Sequence, residues 1–458
     1  MKVTRMYPRL AARAGKSRAV SVGGGLLLTE AVRISGLGAG LSAGLGRWRK
    51  PLAQHDPAKI LMDVAIAIAA GGECLADAGV VRAEPGMYGR VASDPTISRL
   101  FALLGAQPGR VEGIVHTALD QARARVWGLA GSHAPHEGIS RQAPLVVDFD
   151  ATLVTAHSDK DQAAPTFKHG FGFHPLCAFA DHGPDGAGEP VAMMLRAGNA
   201  GSNTVAYHIS VTRSALNALP VPASKKVLVR TDGAGGTKDY TAWLAKKGVQ
   251  YSVGFTLPFN TPELFHQIPE QAWTPALDAD AGIREHADVA EFTGLLDLKD
   301  WPAGMRVIVR REHPHPGAQL RFDDVDGWRL TAFATNARVG QHQQLELLHR
   351  RRARCEDRIR CAKDTGLARF PLHGFGQNRI WLLAVQIACC LTAWAQMLAF
   401  PDTSPRRWEP KRLRLRLIGC PAELIHTARQ TIIRYNQRYP WAALLAAALA
   451  RLKLLPAN

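Results

Sequence analysis

The sequence predicts an α/β protein: a mixed five-stranded sheet with helices, carrying a β-rich insertion and joined to a helical N-terminal region. Three observations predict it. Residues up to about 140 show helical apolar spacing with helix-start signals and no strand pattern. From there to residue 257, short apolar runs and helical stretches follow in the order three strands, helix, strand, helix, strand. Residues 258–337 then turn irregular and β-rich before a helical pattern resumes. The chain has 458 residues, 47% hydrophobic and 21% charged, which is ordinary globular composition and excludes a mainly disordered chain.

In chain order, Met1 to Thr29 carries six Lys/Arg and no acid. Gly23, Gly24 and Gly25 interrupt its apolar run, so it reads as a basic arm rather than a secretory signal. Asp56-Pro57 starts a helix through Ile60, Leu61, Val64, Ala65 and Ile68, which Gly71-Gly72 ends. A short helix over Glu73 to Val81 follows. Ser93-Asp94-Pro95 then opens a third, burying Ile97, Leu100, Phe101 and Leu104. Three short helices with a tight glycine turn fit either a DNA-reading helix-turn-helix or a plain bundle. A helix over Val111 to Trp127 leads to the linker Gly131 to Pro144.

The strands are Leu145 to Asp150, Pro175 to Ala180, Pro190 to Arg196, Lys226 to Arg230 and Gln250 to Leu257, with helices over Thr204 to Leu219 and Lys238 to Lys247. That order is ribonuclease H-like, an analogy at the level of fold that assigns no function. Residues 258–337 read as an insertion outside the core sheet. Helix resumes at Gln341 and continues to about Lys363. Ile380 to Phe400 spans 21 residues with few polar positions and reads as a buried helix rather than a membrane span. Pro401 to Leu417 holds six Lys/Arg, and a helical piece closes the chain. Five regions result: a helical N-terminal DNA-binding region (1–140), the first part of the core (141–257), the insertion (258–337), the second part of the core (338–400) and a C-terminal helical region (401–458).

Charge narrows the function. There are 56 Lys+Arg against 39 Asp+Glu, a formal +17, which favours a polyanionic partner: nucleic acid first, an anionic membrane second. The surplus is concentrated in residues 1–110 (15 basic, seven acidic), His349 to Arg369 (eight and three) and Pro401 to Leu417 (six and two). Seven cysteines without a C-x-x-C pair argue against a disulfide scaffold or zinc ribbon and for a reducing cytoplasm.

The acids suggest chemistry. Phosphodiester cleavage with two metal ions needs carboxylates converging from separate elements. Asp148 and Asp150 lie two apart on one strand and share a face. Asp232 follows the strand Val227-Leu228-Val229 and precedes Gly233-Ala234-Gly235-Gly236. At about 100° per residue, His349, Arg352, Glu356 and Lys363 all fall within roughly 60° of one helical face. Glu356 could complete a metal site there, with Arg352 and Lys363 on DNA phosphates.

These motifs together resemble the DDE transposases of bacterial insertion sequences, in the subgroup with a Tyr-x2-Arg-x3-Glu-x6-Lys helix. His349, Arg352, Glu356 and Lys363 reproduce the spacing, with His at the tyrosine position. Asp148-Phe149-Asp150-Ala151-Thr152, Lys168 to Leu176, Arg196-Ala197-Gly198-Asn199, Val229 to Gly233, Ala92 to Thr96 and Cys361 to Gly366 extend the resemblance over roughly residues 50–400. It implies that Asp150, Asp232 and Glu356 are catalytic and bind Mg²⁺, with Mn²⁺ as a substitute and Asp148 as an additional candidate. It implies DNA contacts from His349, Arg352 and Lys363. The implied reaction cuts DNA at the element's ends and joins the freed 3′-OH to target DNA. The implied partners are the terminal inverted repeats and target DNA, held by a homodimer in the bacterial nucleoid, with no membrane. An inactive DNA-binding protein and a structure-specific nuclease on the same fold are the alternatives. Trp273, Trp301 and Trp328 lie in the insertion, where packing is the simpler role for each.

Overall fold

The structure, a computed structural model, describes residues 17–184, 186–222, 226–315, 317–319 and 324–456; most of the basic arm lies outside them. The chain opens with Ala19–Val20 (β1), followed by Leu26–Ser35 (α1) and Leu37–Leu45 (α2), which meet at Gly36 in the left-handed region at φ 72°. Pro57–Ala69 (α3) starts where Asp56-Pro57 predicts, and the Asp56 carboxylate accepts from the Ala58 N–H at 2.7 Å. The helix expected over Glu73 to Val81 is a 3-10 turn, Leu75–Asp77, running into Ala78–Arg82 (α4). Pro85–Tyr88 (α5), Asp94–Gly105 (α6) and Pro108–Ala130 (α7) follow. In α6 the four residues expected inside are buried, while Ser98 and Arg99 face outward.

The remaining elements are Leu145–Ala151 (β2), Val154–Thr155 (β3), Ala164–Pro165 (β4), Phe171–Phe173 (β5), Leu176–Ala180 (β6), Glu189–Met194 (β7), Val205–Ala218 (α8), Val227–Thr231 (β8), Lys238–Lys246 (α9) and Gln250–Phe255 (β9). Then come Thr261–His266 (α10), Thr274–Leu277 (β10), Ile283–Glu291 (β11), Arg306–Glu312 (β12) and Arg329–Thr335 (β13). His342–Arg350 (α11), Ala353–Ala362 (α12), Phe375–Ala399 (α13), Pro410–Leu413 (α14), Ala422–His426 (β14), Thr431–Tyr435 (β15) and Ala442–Leu454 (α15) complete the chain.

Nine strands form one mixed sheet in the order β10-β11-β12-β13-β9-β8-β2-β6-β7. Within it β7, β6 and β2 are an antiparallel meander, and β8 and β9 are added parallel to β2 through α8 and α9. The five expected strands are therefore the half of the sheet that carries the acids. The insertion, expected outside the core sheet, extends it instead: β13 runs antiparallel to β9 from Ala332↔Phe255 to Thr335↔Ser252. The physical reason is the free edge β9 would otherwise expose, which the apolar run Val307-Ile308-Val309 and its partner β13 continue and cover.

The apolar stretch Ile380 to Phe400 falls in α13, which is long and apolar enough to cross a bilayer but is buried almost throughout. It packs against α1, α3, α6 and α7 on one side and β7 on the other, so the N-terminal helices and the sheet share one core. The C-terminal region is not all helical. β14 and β15 form a hairpin that pairs with β1 at Ala19↔Glu423 and Val20↔Ala422, joining the two ends of the described chain. The β-branched run Thr431-Ile432-Ile433 favours the strand that the surrounding helical texture obscures.

Asp63 lies in the middle of α3 at 2% exposure, its Oδ2 without a partner and Lys59 on its other oxygen. Burial pushes its carboxyl up from 3.8 to about 6 against the pull of Lys59. The folded chain thus binds this proton more tightly than the unfolded one, so stability falls as pH rises from about 4 through 6. Asp63→Asn is expected to stabilise the protein at pH 7–8 by up to about 3 kcal/mol, with the gain vanishing near pH 4. Urea unfolding at both pH values checks it, and a gain independent of pH would refute it.

Candidate active site

β2 and β8 are parallel neighbours whose last register pair is Phe149↔Thr231. One residue further on each strand stand Asp150 and Asp232, side by side at the same end of the sheet. Each strand leaves the apolar core at this end, β2 running on towards β3 and β8 into a 3-10 turn, so both acids stand at the rim. The Asp232 carboxylate accepts from the Ala234 N–H at 3.0 Å and caps the 3-10 turn Gly233–Gly235. β9 crosses this turn closely. A Cβ on Gly254 would stand 2.5 Å from the Gly233 nitrogen, so only glycine fits there.

Glu356 comes from the other side, in the first turn of α12. Arg352 connects it to the strands: its guanidinium lies 3.2 Å from Glu356 Oε1 and 3.6 Å from Asp150 Oδ2. Asp150 registers the crowding of like charge. Burial and the neighbouring Asp232 push its carboxyl up to about 6, with Glu356 adding to them and Arg352 and the Ala151 N–H opposing. Lys363 donates from Nζ to the Leu153 carbonyl at 3.1 Å, on the connection that leaves Asp150, and burial draws its ammonium below the usual lysine range.

The single helix expected from Gln341 to Lys363 is two. Between α11 and α12 the bonds shorten to i→i−3, from Arg352 N–H to His349 O at 2.9 Å and from Cys355 N–H to Arg352 O at 2.7 Å. This tighter turn rotates His349 away from the face of Arg352 and Glu356. His349 donates to or accepts from Ser252 Oγ at 2.8 Å and stacks on Phe333, ring centroids 4.5 Å apart. Burial and the charges of Arg230, Arg352 and Arg310 hold its imidazole down to about 3, and the ring is engaged by Ser252 and Phe333 rather than standing on the face of Arg352 and Glu356 as expected.

Asp148 also has another occupation. It is fully buried and bound by Arg230 Nε at 2.5 Å and Nη2 at 2.8 Å, and by Arg358 Nη1 at 3.1 Å. Arg358 also reaches Asp181 at 2.7 Å, and Arg230 donates to the Leu348 carbonyl at the end of α11. Asp148 is thus a structural ion rather than an additional metal ligand. The network fastens α11 and α12 onto β2 and β8, and so sets where Glu356 sits. Sequence reasoning missed Arg230, Arg358 and Asp181; the arginine beside Asp232 in the motif Val229 to Gly233 was the available signal.

The basic segment Pro401 to Leu417, one of the three places where the charge surplus is concentrated, is partly spent inside. Buried Arg406 donates to the Met397 and His133 carbonyls, and Arg416 lies over Trp408 and Trp441 at 5.2 and 4.9 Å.

Residues 4–457, nearly the whole chain, match the family model of the transposase DDE domain group 1. The chain belongs to the DDE transposase family. No curated protein matches it. Among solved structures, the cryo-EM structure of a piggyBac transposase synaptic complex with hairpin DNA is similar, at TM-score 0.44 and 11% identity, covering 86% of this chain and 80% of that one.

DDE transposases as a family use divalent metal ions. Three carboxylates, two on adjacent strand ends and one on a facing helix, suit a hard cation in kind, and the raised carboxyl of Asp150 marks the crowding such a cation relieves. Among the described residues no three His, Cys, Asp or Glu side chains close to a ligating group, and Arg352 stands between Asp150 and Glu356. Arg352→Gln is therefore expected to raise the affinity of the DNA-free protein for Mn²⁺ by roughly tenfold, the equivalent of one charge pair at a partly buried site. Titration followed by the Mn²⁺ electron spin resonance signal measures this, and unchanged affinity would show that the guanidinium does not compete for the site.

Proposed function

We propose that this chain is the transposase of a bacterial insertion sequence, acting in the nucleoid. It cuts DNA at the element's terminal inverted repeats and joins the freed 3′-OH to target DNA. The observation that carries the reading is the pairing of Asp150 and Asp232 at the ends of neighbouring parallel strands, with Glu356 brought to them through Arg352. The strand order β7-β6-β2-β8-β9 supports a ribonuclease H-like core beneath them.

In this mechanism Asp150, Asp232 and Glu356 hold Mg²⁺ or Mn²⁺, which when bound supplies Lewis acidity at the phosphate and a more acidic water. The chain's own groups do the rest. Arg352 exchanges its carboxylate partners for a DNA phosphate, freeing Asp150 and Glu356. Lys363, beside the connection after Asp150, fixes the strand on the other side. The buried Asp148–Arg230–Arg358 network supports the elements that carry the acids, so the site is prepared before DNA arrives and completed when Arg352 moves to the phosphate. Two ends must be held for joining, which makes the DNA-bound form a homodimer.

The test incubates purified protein with DNA ending in the repeats that flank its gene, and with a target plasmid, in Mg²⁺ and in chelator. Metal-dependent cutting followed by joined product supports the proposal. Cutting without joining would make the chain a nuclease, and binding without cutting an inactive DNA-binding protein; either overturns it.

A further inference from the structure

The sheet end that carries the acids also carries an aromatic tip. β3, β5 and β4 form a small three-stranded sheet that begins directly after β2, with Val154 paired to Phe173 and Ala164 to Gly172. Its base is fixed. Phe173 is buried against Phe370 at 5.3 Å, and Lys363 holds the Leu153 carbonyl just before β3. Its tip is a closed turn, with the Thr166 N–H donating to Gly170 O at 2.8 Å and the Gly170 N–H to Thr166 Oγ1 at 3.1 Å. On that closed turn Phe167 is 64% exposed, and Phe171 just after it is 37% exposed.

The tip stands close to the acids. The Phe167 ring lies 5.7 Å from that of buried His174, which stands just before β6, the strand that pairs with Asp150 through Cys177. Exposed Lys168 lies 5.7 Å from the Phe167 centroid. Across the sheet, Phe259 follows the end of β9 and is fully exposed. The tryptophans of the insertion are used internally instead: Trp273 and Trp328 sandwich Arg311 at 4.4 and 4.6 Å, and Trp301 packs on Phe255 at 5.2 Å.

We propose that the Phe167 tip is a stacking platform for unpaired bases beside the cut, with Lys168 on the adjoining phosphate and Phe259 as a second ring on the far side of the acids. A closed turn presenting an aromatic beside a cation suits a base and its phosphate, and stacking of this kind contributes about 1–3 kcal/mol per base whatever the sequence. The proposal rests on the DNA-processing reading of the site.

The test uses the full chain carrying Glu356→Gln, in chelator, so that nothing is cut. Binding is compared for a blunt oligonucleotide duplex and the same duplex with a short single-stranded 3′ extension containing 2-aminopurine. The extension is expected to bind roughly 5- to 150-fold tighter, the range that 1–3 kcal/mol implies, with altered 2-aminopurine fluorescence. Phe167→Ala with Phe259→Ala should remove that preference and leave blunt-duplex affinity within about twofold, while Phe167→Trp keeps it. A preference that survives the double substitution, or is absent without it, overturns the platform. So does a Phe167→Ala protein that loses blunt and extended duplex alike, or one whose only change is dissociation of a DNA-free dimer. Cutting by the unsubstituted chain is scored separately, so either reading can fail alone.

Discussion

Glu356→Gln is expected to lower DNA cutting by more than the about 100-fold that loss of an outer partner costs at a metal site, without measurable loss of stability. The separation follows from where the side chain sits. Glu356 is 64% exposed and its only partner among the described ion pairs is Arg352, which glutamine also accepts from. Exposed pairs of this kind contribute little, so unfolding should shift by no more than about 0.5 kcal/mol. A carboxylate that supplies charge to the site cannot be replaced by an amide in the same shape. Cutting of end-containing DNA and urea unfolding, measured on the same preparation, check both halves. Undiminished cutting would remove Glu356 from the site, and a large loss of stability would make it a structural residue.

Each of the strand-end acids was legible because the signals that place it at a strand end are local. Apolar runs ending in Asp150 and in Asp232-Gly233 carry their own strand and turn signals, and parallel pairing of the two strands brings the ends together. The spacing of Arg352 and Glu356 was legible too, since the two stand four residues apart at the start of α12. What was illegible depends on distant partners. Asp148 shares a strand face with Asp150, but its burial is decided by Arg230, 82 residues away, and Arg358, 210 away. The same holds for β1, whose two residues are a strand only because a hairpin some 400 residues later pairs with them. His349 shows a third cause. Helical spacing assumes a constant turn, and the short i→i−3 bonds after α11 break that assumption within the motif itself.

The second large effect concerns the joint between the N-terminal helices and the sheet. Glu189 on β7 is fully buried and accepts from Arg123 Nε of α7 at 3.1 Å, from Trp127 Nε1 at 2.6 Å and from Trp394 Nε1 of α13 at 2.7 Å. Burial alone would raise its carboxyl, but Arg123, His182 and Trp127 outweigh that and hold it down to about 2. Its contribution is therefore fully present above 4.5 and lost as pH falls through about 2. Glu189→Ala leaves the Arg123 guanidinium buried with only the partly exposed Asp120 as counter-charge, and leaves two indole N–H groups without an acceptor. Breaking a buried pair in this way costs about 3–5 kcal/mol, a large share of a typical folding free energy, so the variant should be mostly unfolded or aggregated at 37 °C. Replacing both ions, Arg123→Met with Glu189→Leu, should cost clearly less than Glu189→Ala alone, because no buried guanidinium is left stranded and what loses a partner is the two indoles, His182, two carbonyls and the partly exposed Asp120. Urea unfolding of the three proteins orders them. A double variant less stable than Glu189→Ala would show that the carboxylate's value lies in its bonds to the two tryptophans rather than in neutralising Arg123.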